Sequence, residues 1–112
     1  MATLAAEAEA RGIKVPTQRT LDIYGLSAND WIRLLKAQGW ACAICEKEQA
    51  TWNTDHDHVP GWKRMKPADR KRHVRGVLCW FCNHKVVRDT RSSHTAQRVA
   101  DYLRAHEERM KA

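Results

Sequence analysis

Cys42-Ala43-Ile44-Cys45 and Cys79-Trp80-Phe81-Cys82 use all four cysteines of the 112-residue chain. Two C-x2-C pairs are the usual framework of a tetrahedral zinc site with four thiolate ligands. Two intervening residues let a tight turn bring both sulfurs to about 2.3 Å from one metal. Such a site closes the loop between the pairs, a gain for a chain too small for a large hydrophobic core. Disulfides are disfavoured, because no secretion signal is legible at the N-terminus. A redox pair would be a single C-x-x-C in a βαβ setting, and a zinc deaminase would need an upstream His-x-Glu, which neither pair has. Four thiolates leave no position for a reacting water, so this zinc is expected to be structural and any chemistry to lie elsewhere.

Outward from the cysteines, the segment between the pairs is too long for a simple turn. It holds Trp52-Asn53-Thr54-Asp55-His56-Asp57-His58-Val59-Pro60-Gly61-Trp62, a basic run, and Val74-Arg75-Gly76-Val77-Leu78. The flanks read as two short strands joined by a basic, proline-containing loop. The second pair then opens a helix at Cys82-Asn83-His84-Lys85-Val86-Val87, giving the order strand, strand, helix. Strand alternation sends Asp55 and Asp57 to one face and His56 and His58 to the other. A strand end or a bulge breaks that alternation and would let Asp55 and His56 address one site.

Upstream, residues 3–11 have helical composition, with Thr3 as N-cap, Gly12 as stop and the charge pattern of a solvated or frayed helix. Ile13 to Tyr24, with Pro16, reads as an extended connector. Ser27 caps a clearer helix with Asp30 three residues on, Trp31, Leu34 and Leu35 on one face, and Gly39 after its end. Trp31 is expected in the core. A last helix over about 95–109 has Val99, Tyr102, Leu103 and His106 facing inward. The chain divides into an N-terminal helix and connector (1–23) and one domain (24–112) with its core at 40–90.

The net charge is +7 and the mean hydropathy is −0.68. No apolar stretch is long enough to span a bilayer, and a polyanion is the natural partner. Lys63, Arg64, Lys66, Arg70, Lys71, Arg72 and Arg75 crowd one segment, opposed there only by Asp69. Pro60, Gly61 and Pro67 argue against the amphipathic helix that membrane binding would want there. Phosphodiester hydrolysis needs a hard cation, a base and cationic groups that hold the backbone. Asp55 with the Asn83 side-chain oxygen meets the first need, a near-neutral histidine the second, Arg75 and the basic run the third.

C-x2-C, then D-H-D-H, then V-R-G-V-L-C-x2-C-N resembles the recombination endonuclease VII branch of the HNH (ββα-metal, or His-Me finger) nucleases, common in bacteriophages. Tyr24-Gly25-Leu26-Ser27 and Gln38-Gly39-Trp40-Ala41-Cys42 are similar to the lead-in of such proteins, and the resemblance spans about residues 24–88. It implies an α+β fold: a small zinc-stapled ββα core with flanking helices. It implies Cys42, Cys45, Cys79 and Cys82 as structural Zn2+ ligands, Asp55 and Asn83 as ligands of a catalytic Mg2+ or Mn2+, His56 as general base, and His58 as a second active-site histidine. The chain departs from the family pattern at His84-Lys85-Val86-Val87-Arg88-Asp89 and in its long basic insert at 62–73. The expected activity is cleavage of double-stranded or branched DNA by a monomer or weak dimer, away from membranes, in the cytoplasm of the host if phage-encoded. The competing expectation is a non-catalytic zinc-stabilised DNA-binding module of a phage packaging or regulatory complex; a zinc-binding protein–protein adaptor is the third.

Overall fold

The computed structural model describes residues 3–87 and 92–111; Arg88 and Asp89 of the departure noted above lie outside them. The fold is α+β, with five α-helices around a two-stranded antiparallel sheet among the described residues.

The first helix, α1 (Leu4–Ala10), is capped by the Thr3 hydroxyl, which accepts from the Ala6 N–H at 3.1 Å. Most of it faces solvent, as its charges suggested, but one side is anchored. Ala8 is buried in the main core, and Glu7 pairs with Lys36 of the third helix at 2.9 Å. The expected extended connector is corrected, because Gln18–Tyr24 forms a second helix, α2, capped by Thr17. Pro16 sits just before that cap, where proline ends a connector without entering the helix. Gly25 follows with φ +69°, and a Cβ there would lie 1.9 Å from the Pro67 carbonyl oxygen. Only glycine permits both the conformation and the approach.

Helix α3 (Ala28–Ala37) starts with a capping box. The Ser27 hydroxyl accepts from the Asp30 N–H at 3.0 Å, and the Asp30 carboxylate accepts from the Ser27 N–H at 2.9 Å. Its Trp31, Ile32 and Leu35 fill a core with Leu21, Leu26, Trp40, Val74 and Val77. Trp31 also donates from its indole to Thr54 at 3.1 Å, which fixes the helix against the sheet.

Strands β1 (Asn53–His56) and β2 (Val74–Leu78) pair in the register Asn53↔Leu78, Thr54↔Val77, Asp55↔Gly76, His56↔Val74. Arg75 is therefore the extra residue of a bulge opposite Asp55 and His56. Between the strands the basic insert is ordered, with a 3-10 turn at Trp62–Arg64 and a short helix, α4 (Pro67–Lys71). After β2 comes a π-helical turn, Cys82–Val86, and then the long α5 (Ser93–Met110), capped by Ser92. A second core of Cys42, Ile44, Leu78, Cys79, Cys82 and Val99 joins the cysteine region to α5.

Candidate active site and four-cysteine cluster

The two cysteine pairs fold against each other. Their four sulfurs all lie within 4.8 Å of one another, and Cys45 and Cys79 are 3.9 Å apart. Thiolates about 2.3 Å from one tetrahedral metal lie about 3.8 Å from each other, so the cluster can hold a metal such as zinc. The turn after Cys42 closes when the Glu46 N–H donates to the Cys42 carbonyl at 2.9 Å. Backbone N–H groups also point at sulfur: Cys79 donates to Cys42 and Cys82 to Cys79, each at 3.4 Å. Burial pushes the Cys79 and Cys82 thiols up. At Cys42 burial acts in the same direction but is outweighed by N–H donors from Cys79, Cys45 and Ile44, which hold it below the usual thiol range. Packed thiols that resist ionising together are stabilised by a dication.

The D-H-D-H stretch keeps the strand alternation. Asp55 is only 4 % exposed and faces α5. Arg75 donates to its two oxygens at 2.8 and 3.1 Å, and the Tyr102 hydroxyl donates at 2.6 Å. The bulge explains the pair: an extra residue in β2 re-aims the Arg75 side chain onto the carboxylate face of β1. Arg75 also reaches Asp57 at 3.8 Å. Burial alone would weaken the guanidinium's hold on its proton, but Asp55 and Asp57 more than offset this and keep it charged. For Tyr102, burial and the adjacent Asp55 charge push the phenol far above its usual value. Asp57 binds His106 of α5 and lies 3.6 Å from His73. Its burial acts to raise the carboxyl, but His106, Arg75 and His73 together hold it below the usual range.

On the opposite face, His56 stacks on Trp62 with ring centroids 4.0 Å apart and planes 21° from parallel. His58 lies 4.9 Å away and Tyr24 5.7 Å. Burial and the neighbouring His58 lower the His56 pKa against the opposing pull of Asp55. His56, His58, Trp62, Lys63 and Arg64 line an open cavity of about 660 Å³.

The remaining expected residues are dispersed. Asn83 is half-buried on the π-helical turn; among the described residues no hydrogen bond joins it to Asp55. His84 is exposed, stacks on Trp80 at 4.7 Å and is not part of the clustered ligand group. Of the basic run, Lys66 is exposed at the start of α4 and Lys71 pairs with Asp30 at 3.2 Å. Lys71 and Arg72 line a second cavity, of about 720 Å³, with Arg33 and Arg109. Arg70 and Arg75 are turned inward. Five side chains at the site carried no such role in the sequence: Tyr102, His106, His73, Trp62 and Tyr24. The i, i+4 spacing of Tyr102 and His106 put both on one face, which read as core and is also the polar clamp on Asp55 and Asp57.

A model of recombination endonuclease VII matches residues 17–105. The chain belongs to the recombination endonuclease VII family. It is 32% identical over 90 residues to the Gene 59 protein of Mycobacterium phage D29, covering 77% of this chain and 48% of that protein. It is 31% identical over 68 residues to the Gene 59 protein of Mycobacterium phage L5, covering 58% of this chain and 35% of that one. The chain thus spans about half the length of the first of these relatives and about a third of the second. No solved structure matches it. No helix among the described residues is long and apolar enough to cross a membrane. Both D-H-D-H and the four-cysteine cluster lie inside the endonuclease VII match.

Proposed function

We propose that this endonuclease VII family member is a metal-dependent DNA endonuclease of the HNH type, formed by residues 24–112 with α2 packed against them. His56 is its general base, Asp55 and Asn83 hold a divalent Mg2+ or Mn2+, and Cys42, Cys45, Cys79 and Cys82 hold a structural zinc. The observation that carries this reading is the His56 imidazole, which lines a cavity flanked by Lys63 and Arg64, in a chain of a nuclease family. A neutral ring nitrogen takes a proton from water as the water oxygen bonds to phosphorus. The bond to the 3′ oxygen breaks, leaving a 5′-phosphate. His58 contacts the phosphate, while Lys63, Arg64, Lys66, Lys71 and Arg72 draw the backbone in.

Asp55 and Asn83 offer the oxygen ligands that Mg2+ and Mn2+ take. A carboxylate has about four acceptor directions; Arg75 and Tyr102 use three on Asp55, which leaves one at Oδ1. With Asp55 turned from α5 towards the His56 face, a cation bound there would stabilise charge on the phosphate and the leaving oxygen. The substrate is double-stranded or branched DNA, the protein a monomer or weak dimer, and its place the host cytoplasm if phage-encoded.

One observation favours a second reading, a non-catalytic zinc-stabilised DNA-binding module: Asp55 is buried and already held by Arg75 and Tyr102. Supercoiled plasmid incubated with the protein and Mg2+ or Mn2+ separates the two. The nuclease reading expects nicked or linear product from wild type and none from His56→Ala. Intact plasmid with every metal supports the binding module, and equal cutting by the variant removes His56 from the role of base.

A further inference from the structure

Trp62 belongs to an exposed, basic insert, yet its indole lies flat against His56 at 4.0 Å. A short 3-10 turn after a left-handed Gly61 (φ +82°) has little to hold a side chain in place by itself. Arg70 supplies the hold. Its guanidinium donates to the carbonyls of Trp62 and Lys63 in the turn and of Ile23 in α2, each at 3.0 Å. The same group sits 5.2 Å from the Trp62 ring centroid. A planar fork with donors on both edges can bind three carbonyls at once, and a lysine ammonium cannot reproduce that geometry. The turn is thereby tied to α2, whose next residue, Tyr24, flanks both rings: 5.7 Å from His56 and 6.1 Å from Trp62. The close approach of Gly25 to Pro67 brings α2 and α4 together around this stack.

We propose that Trp62, fixed by Arg70, is a positioning residue that sets the ring plane of His56. The proposal rests on His56 being the general base, and it moves Arg70 from the DNA-contacting set to the internal frame of the site. A stacked imidazole keeps its edge nitrogens free while losing rotation about χ2, beside the cavity that both rings line. Misplacing a base by about 1 Å costs up to about 100-fold in rate.

The test uses the full chain loaded with zinc and Mg2+. Steady-state cleavage is measured for wild type, Trp62→Leu, Trp62→Phe, Arg70→Lys and Lys63→Ala, with the ring-proton NMR shifts of His56 recorded in each. Trp62→Leu and Arg70→Lys are expected to lower kcat about 10- to 100-fold at nearly constant KM, and Trp62→Phe to restore most of it. His56 ring protons, moved upfield by the indole in wild type, return to ordinary positions in Trp62→Leu and Arg70→Lys. Lys63→Ala is expected to change KM. Wild-type kcat in Trp62→Leu, a loss confined to KM, or unmoved His56 resonances overturn the proposal, and the KM-only result makes Trp62 a DNA contact. The Arg70→Lys and Trp62→Phe arms and the NMR shifts decide the matter if Trp62→Leu does not fold. A wild-type protein that cuts no DNA refutes the nuclease reading itself; cutting by wild type with no effect in these variants refutes only the positioning.

Discussion

The Tyr102 hydroxyl reaches Asp55 by crossing Gly76. Asp55 and Gly76 are cross-strand partners, and a Cβ on Gly76 would lie 3.0 Å from a Tyr102 ring carbon and 2.9 Å from Gln38 Oε1. The glycine opens the path by which α5 closes over the buried carboxylate. Gln38 uses the same gap to clasp β2, accepting from the Val77 N–H at 2.9 Å and donating to the Val77 carbonyl at 2.8 Å.

Gly76→Ala should therefore destabilise the fold by about 1–3 kcal/mol, the usual cost of overpacking. Gly25→Ala should cost more, since its Cβ meets backbone at 1.9 Å and its φ is +69°. Urea unfolding of both variants checks the order. Equal or negligible losses would mean that the chain relaxes freely at both places.

Tyr102→Phe removes one donor from an acid that is 4 % exposed but leaves the Arg75 fork in place. The expected loss is about 1–3 kcal/mol. Arg75→Met strips the charge partner and should cost about 3–5 kcal/mol, as for other broken buried pairs. Thermal unfolding at fixed zinc concentration measures both, and the ranking Arg75 above Tyr102 is the point at issue.

The pH dependence of stability should carry the signature of Asp30. The Ser27 N–H and, against a small burial effect, the Lys71 ammonium hold this carboxyl below its ordinary value. Its folded pKa is thus lower than its unfolded one, near 3.9. The stabilisation is present above that unfolded value and is lost as pH falls through the folded one. Asp30→Asn should flatten the stability profile below about pH 4. A profile unchanged from wild type would show that the capping box does not discriminate the charged form.

Chelation should unfold the protein, because the second core is built on the four cysteines. We expect one tightly bound zinc per chain, lost with the cooperative thermal transition after treatment with a strong chelator. Cys82→Ser should reproduce that loss. Full retention of the transition without metal would mean that thiol packing alone sustains the fold.

Salt dependence sorts the basic run. Lys63 and Arg64 line the cavity beside His56, whereas Arg70 and Arg75 face inward. Lys63→Ala with Arg64→Ala should lower the slope of log affinity against log salt by about 2. Lys71→Ala with Arg72→Ala should weaken binding and flatten the slope in the same sense. Arg70→Gln should leave it unchanged. Filter binding to duplex DNA at several salt concentrations gives these slopes, and an Arg70→Gln slope lowered by about 1 would return Arg70 to the DNA surface.

The sequence by itself determined the parts that depend on local spacing. Two C-x2-C pairs specify a four-sulfur cluster because two intervening residues force a tight turn. Ser27 and Asp30 specify a helix start because the two groups reach each other's N–H across one turn. Alternation in Asp55-His56-Asp57-His58 specifies which side chains share a face. Tertiary structure decided what each face meets. Pro16 marked a break, but that a seven-residue helix follows was settled by Leu21 burying itself in the core. Whether an arginine in a basic run faces solvent or carbonyls depends on segments far away in sequence. Arg70 answers to Ile23, and Arg75 answers to a bulge and two aspartates. Tyr102 and His106 had helical spacing in common with ordinary core residues; only the docking of α5 over Gly76 brought their polar ends onto Asp55 and Asp57.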